Sequence, residues 1–188
     1  MLTSVGVPVE FGAEPSAADP RSATLICFSH LRWNFVFQRP QHLMSRFARD
    51  MQVIFWEEPV DIAQNETAYM QVRDADDFPN VRLVVPHLPQ GMPKYAREAA
   101  LGRLLDAHLA TVCGPLVAWY YTPMMLPFSR HLCPDLTVFD AMDELSKFKF
   151  APAKLLDLEQ ELIDRSDIVF TGGSSLYEAK KDRHHSVH

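Results

Sequence analysis

The sequence is poor in the features that announce most functions. It has only seven glycines in 188 residues, and none of them falls in a Gly-x-Gly-x-x-Gly run. Without those glycines a strand-to-helix loop cannot bring its backbone against a pyrophosphate, so the usual dinucleotide reading is disfavoured. It has three cysteines, Cys27, Cys113 and Cys133. An odd number at wide spacing makes neither a disulfide framework nor a zinc site. They are expected to be free, largely buried thiols in a reducing compartment. It has no basic surplus: the formal net charge is -6, which argues against general nucleic-acid binding. It has no apolar run of the roughly 18 residues that a membrane span needs. Residues 1–22 lack the basic and apolar regions of a secretory signal. Their prolines and small residues predict a flexible tail. The expected compartment is the cytoplasm, with work at the inner membrane face left open.

What is present is a 47% hydrophobic, 22% charged chain, a globular composition. From residue 24 apolar runs alternate with helical patterns. Strands are expected at 24–29, 51–58, 80–88, 116–121, 136–144 and 167–173. Pro86 and Pro89 close the third of these, and 60–80 reads as polar and irregular. Helices are expected from Pro40, over 93–113, 152–166 and 174–183, with a short helix or turn after Thr122-Pro123. Tyr95, Ala99, Leu101, Leu105, Leu109 and Val112 mark the apolar side of the second helix. Leu155, Leu158, Leu162 and Ile163 mark that of the third. Gly114-Pro115 stops the second helix. The pattern predicts an α/β, Rossmann-like, doubly wound and mainly parallel sheet with helices on both faces. Ligands of such sheets bind beyond the carboxyl ends of the strands.

Four strand ends follow. The first, SHLRWNFVFQRPQH, is glycine-free. It carries His30, Arg32, Asn34, Gln38 and Arg39 beside Trp33, Phe35 and Phe37. Aromatic faces with polar groups suit a sugar. The alternative is that the aromatics fill core, Arg39 meets a carboxylate and His42 caps or packs. If Arg39 serves a ligand, replacing it with Ala should leave folding nearly intact. The second, AWYYTPMM, reads first as core, with Tyr121 kept as a candidate substrate contact. Thr122 suits a helix cap. The third, VFDAMDELSKFK, groups Asp140, Asp143 and Glu144. A carboxylate there could deprotonate a hydroxyl nucleophile; Asp143 could equally cap a helix, and no further ligands complete a metal site. The fourth, IVFTGGSSLYEAK, frees the backbone at Gly172 and Gly173 and lets Ser174 or Ser175 cap a helix with an anion-attracting N-terminus. Its approach to a nucleophile elbow fails at the last glycine and in the order of partners.

The combination HLRWNFVFQRPQHLMSRFA, YYTPM, VFDAMDELSKF and ELIDRSDIVFTGGSSLYEAKK resembles the N-terminal domain of GT-B glycosyltransferases. It is most similar to the bacterial family-1/family-4-like group that builds cell-surface polysaccharides. The resemblance implies that 23–188 is the acceptor-side domain of a two-domain enzyme, without the C-terminal donor domain and nearly inactive alone. The implied partners are a glycan or glycolipid acceptor and a donor domain or second chain. The donor would be a nucleotide-sugar, with no cofactor in this chain and no metal. Arg32, Asn34, Gln38 and Arg39 would face the cleft. Asp140 and Asp143 would contact the acceptor or act as base, and Gly172, Gly173 and Ser174 would line the crossover. Two other readings stay open: a non-catalytic binding or assembly module of the same fold, and, more weakly, a serine hydrolase using Ser174.

Overall fold

The computed structural model describes residues 23–143 and 154–188. The expected tail and Glu144 lie outside the described residues. Eight strands form one sheet: β1 (Thr24–Phe28), β2 (Gln52–Trp56), β3 (Val60–Ile62), β4 (Tyr69–Ala75), β5 (Phe78–Pro89), β6 (Leu116–Tyr120), β7 (Leu136–Ala141) and β8 (Ile168–Thr171). They pair in the order β3-β5-β2-β1-β6-β7-β8, with β4 added antiparallel to β5. All other pairings are parallel. The helices are α1 (Arg39–Phe47), α2 (Lys94–Leu109), α3 (Leu126–Ser129), α4 (Leu155–Arg165) and α5 (Ser174–Lys180). The doubly wound α/β sheet is therefore the observed architecture. The chain leaves β1 towards β2 on one side and returns to β6 on the other, which opens a crevice at the carboxyl ends of β1 and β6.

Parallel strands are buried on both faces, and β1 is buried at every residue. On one face Ile26, Phe28, Tyr120 and Phe139 pack under α2, α3 and α4 through Leu101, Leu105, Phe128 and Leu162. On the other, Cys27, Phe55, Trp119 and Val138 pack under α1 through Met44. Cover on this second face is thinner. The connection from β2 to β5 is made by β3 and β4, not by a crossover helix. Trp33, from the loop after β1, fills that place: its ring lies 5.0 Å from Phe55 and 5.8 Å from Phe78.

Several expectations are corrected. Residues 60–80 are not irregular: they hold β3 and β4, whose polar outer positions hide the strands behind an edge-strand composition. β5 runs through Pro86, which sits beyond the last β2 partner, Val84, and before the first β3 partner, His87. A missing N–H there breaks no ladder on that side. Helix α2 ends at Leu109, where the N–H groups of Thr111 and Val112 turn to the carbonyls three residues back and the Thr111 hydroxyl also bonds the His108 carbonyl at 2.8 Å. Gly114 follows at φ +85°. Tyr95 and Ala99 are exposed, and the buried stripe of α2 is Ala100, Leu101, Leu104, Leu105 and His108. Of the cysteines only Cys27 is buried; Cys113 and Cys133 are exposed, and all three are free. Among the described residues, no helix is long and apolar enough to cross a membrane.

His108 gives the fold an acid-sensitive point. Burial, then the Arg82 charge, lowers its pKa to about 4. A folded pKa below the unfolded one stabilises above about pH 6.5, and that contribution is lost as pH falls towards the folded value. Between about pH 7 and about pH 5 the loss should be about 2 kcal/mol. Urea denaturation at the two pH values, compared with His108→Gln, should show a flatter dependence in the variant.

Candidate functional site

The loop after β1 is built by two side chains that meet it from behind. Glu57, directly after β2, is 4% exposed. Its Oε1 accepts the Trp33 N–H at 2.9 Å, and its Oε2 accepts from Arg32 Nη1 at 2.8 Å. Gln41, in the first turn of α1, is fully buried. Its Nε2 donates to the carbonyls of Trp33 at 3.1 Å and Val36 at 2.9 Å, with a longer contact to Arg32 at 3.3 Å. Its Oε1 accepts the Gln38 N–H at 3.1 Å, the return half of a capping box. Ser29 adds a turn of its own, its Oγ accepting from the Leu31 N–H. These contacts satisfy the loop's backbone groups from side chains of the domain itself. The loop is thereby held with Asn34, Phe35, Val36, Phe37, Gln38 and Arg39 outward.

The expected site residues divide accordingly. Trp33 is core, and Arg32 is an ion-pair partner of Glu57 with its side chain 38% exposed. His42 packs on Phe37, ring centroids 4.6 Å apart. Phe35 is the freest, at 77% exposed. A cleft of about 300 Å³ lies between Trp33–Phe37 and Asp76–Phe78. Sequence reasoning missed Gln41 and Glu57. The Gln38-x-x-Gln41 spacing was a usable signal for the first. Glu57 offered none, because its contacts depend on β2 lying beside β1.

Arg39 reaches across the crevice. Its Nε donates to Asp140 Oδ2 at 3.0 Å. Asp140, on β7, is fully buried, and its Oδ1 has no hydrogen-bond partner among the described residues. Burial raises the Asp140 carboxyl above its ordinary range; Arg39 first, then Tyr121 and Trp119, offset part of that. Tyr121 is buried beside it with its hydroxyl raised by burial, then by Cys27 and Asp140. The Cys27 thiol is also pushed well up by burial and then by Asp140. Burial disfavours a negative charge on all three groups, and Arg39 partly offsets that at Asp140. The carboxylate thus stands behind Arg39, out of reach of a hydroxyl in the crevice. Asp143 is exposed on the loop beyond β7. Its charge acts on His30, whose pKa burial lowers and Asp143 partly restores. His30 Nδ1 is buried with no hydrogen-bond partner among the described residues.

This pair gives Arg39 a structural partner, which argues against Arg39→Ala leaving folding nearly intact. Asp140 already has a raised folded pKa, so its penalty appears above the unfolded pKa and grows as pH rises through the folded one. Removing Arg39 raises that pKa further. The side chain of Arg39 is 41% exposed, which tempers the effect. Arg39→Ala should cost about 1–3 kcal/mol near about pH 7 and little near about pH 4. Adding Asp140→Asn should remove most of the difference in urea denaturation.

At β8 only one glycine of the pair is required. A Cβ on Gly172 would lie 2.6 Å from the Met142 carbonyl oxygen, whereas one on Gly173 would meet nothing within 4 Å. The Gly173 φ of 168° is ordinary extended backbone. Gly172→Ala should cost about 1–3 kcal/mol, as overpacking does, and Gly173→Ala much less; thermal melts check the pair. Neither serine caps α5: Gly173 is the cap position and Ser174 the first helical residue. Ser174 is exposed, and no hydrogen bond joins it to a histidine among the described residues. Thr122 does cap, its Oγ1 accepting the Met124 N–H at 3.2 Å.

No protein-family model and no curated protein matches the chain. Solved structures do. Sucrose-phosphate synthase from Thermosynechococcus elongatus matches at TM-score 0.60 and 13% identity, over 89% of this chain and 47% of that one. The trehalose-6-phosphate enzyme of E. coli, solved with UDP-2-fluoro glucose, matches at TM-score 0.52 and 10% identity, over 86% and 42%. Both are GT-B glycosyltransferases. The chain has a GT-B-like, Rossmann-type fold and spans less than half the length of either neighbour.

Proposed function

We propose that this domain is the acceptor-binding half of a nucleotide-sugar-dependent glycosyltransferase of cell-surface polysaccharide or glycolipid synthesis. The observation that carries the reading is the loop after β1, buttressed by Gln41 and Glu57, which leaves Asn34, Phe35, Gln38 and Arg39 exposed, with Arg39 reaching to the end of β7. Polar side chains beside an exposed ring fit the hydroxyl and C–H faces of a sugar. Its position on a GT-B-like fold supports the same assignment. In the reaction the acceptor hydroxyl bonds to the anomeric carbon, the bond to the nucleotide phosphate breaks, and the hydroxyl proton passes to a base. Asp143 is an exposed carboxylate at this edge. Asp140 acts as a positioning residue that fixes Arg39. A donor domain, in the same chain or a partner, supplies the nucleotide pocket and brings the reactants together.

Calorimetry of this chain against candidate glycans, UDP-sugars and GDP-sugars tests the proposal. Glycan binding that weakens in Gln38→Ala and Arg39→Ala, with no micromolar nucleotide binding, supports it. Ester turnover abolished by Ser174→Ala would instead favour the hydrolase reading.

A further inference from the structure

We propose that the cleft between the loop after β1 and the β4–β5 turn takes a protonated amino sugar, so that the acceptor carries a free amine. This inference rests on the sugar reading above and names the class of sugar. The cleft measures about 300 Å³, the lower end of the range for small-molecule sites. Part of its wall is aromatic. Trp33, Phe37 and Phe78 hold one another, with ring centroids 5.8 to 6.4 Å apart, and Phe35 lines the same cleft with most of its ring in solvent. Such rings accept the C–H face of a sugar and attract an ammonium charge.

The β4–β5 side carries Asp76 and Asp77. They form the two-residue turn between Ala75 and Phe78. Aspartate suits a turn on its own account, but this pair also sets two adjacent negative charges at the cleft. Neither has an ion pair among the described residues, whereas Asp74 is paired with Arg82 at 3.6 Å. A second, independent group points the same way. Trp33 is 7% exposed and lines the cleft, and its indole N–H makes no hydrogen bond among the described residues. That donor is left for an oxygen in the cleft. The three parts match an amino sugar group by group: ammonium to the carboxylates, ring face to Phe35, hydroxyl oxygen to the indole N–H. A neutral sugar leaves both charges unanswered, and an acidic one is repelled by them.

Nitrogen–proton NMR of this chain tests it, with glucosamine, N-acetylglucosamine and glucose as probes at a pH where the amine is protonated. The chain has three tryptophans, and of their indole signals only that of Trp33 should move. Glucosamine should bind roughly tenfold more tightly than the two neutral sugars, the size that two exposed ion pairs and a ring contact supply. The preference should shrink as salt is raised. Asp76→Asn with Asp77→Asn should erase it; asparagine suits the turn, and circular dichroism checks that the variant is folded. Phe35→Ala should weaken charged and neutral sugars alike. Equal binding of charged and neutral sugars, a preference that survives the paired Asn substitutions, or binding that leaves the Trp33 indole unmoved overturns this inference and leaves the sugar reading standing. No binding of any of the three sugars overturns both. A lysine-rich peptide that moves the Trp33 signal where glucosamine does not would assign the cleft to a basic protein segment instead.

Discussion

Gln41→Ala should destabilise the protein by about 3–5 kcal/mol and release the loop after β1. Gln41 is fully buried, and its amide serves four backbone groups at 2.9 to 3.3 Å. At about 1 kcal/mol for each hydrogen bond, with a further cost for groups left without a partner, the total falls in that range. Gln41→Glu keeps the size but turns a carboxylate oxygen towards carbonyls, so it should be at least as damaging. Trp33 makes the effect more than local. Its N–H is held by Glu57, and its ring covers the sheet where no crossover helix passes. Loosening the loop therefore uncovers Phe55 and Phe78. Urea denaturation reads the energy, and chymotrypsin cleavage at Phe35 or Phe37 reads the release. A loss under about 1 kcal/mol with unchanged cleavage would show that the loop stands without Gln41.

Glu159→Ala should be as costly, about 3–5 kcal/mol, because it breaks a buried ion pair from one side. Glu159 on α4 and Lys180 on α5 have side chains 4% and 1% exposed, with Nζ to Oε1 at 2.9 Å. Arg183 adds a second contact to Glu159 at 3.0 Å and two to Gln160. The truncated variant keeps a buried ammonium without this carboxylate. The double variant Glu159→Leu with Lys180→Met removes both charges and should recover much of the loss. The pair fastens α5 to α4, and so sets where the Gly172–Ser174 turn lies beside the end of β7. Equal stability of the single and double variants in denaturation would contradict the ion-pair explanation.

The sheet was legible where burial on both faces writes continuous apolar runs, as in Leu25–Phe28 and Val138–Phe139. Helix α1 was legible from Pro40 and from Met44 and Phe47, and α4 from its four apolar positions. β3 and β4 were not, since edge strands carry polar outer positions that read as loop. In the site, the loop's lack of glycine was visible, and so was the possibility that Arg39 meets a carboxylate. Which carboxylate was not: Asp140 lies 101 residues further along the chain, and only the β1-β6-β7 order brings it near. The same holds for Glu57 and Trp33. Exposure separated two residues that sequence treats alike, Trp33 in the core and Phe35 in solvent.

Hydrogen exchange of this chain, read peptide by peptide with candidate glycan acceptors and with nucleotide-sugars, tests the central claim most directly. Acceptor should slow exchange at residues 30–39 and around 121–123 and 140–143, while UDP-sugars or GDP-sugars alone should leave those segments unchanged. Micromolar nucleotide binding by this chain alone, with protection centred on the loop after β1, would contradict an acceptor-side domain.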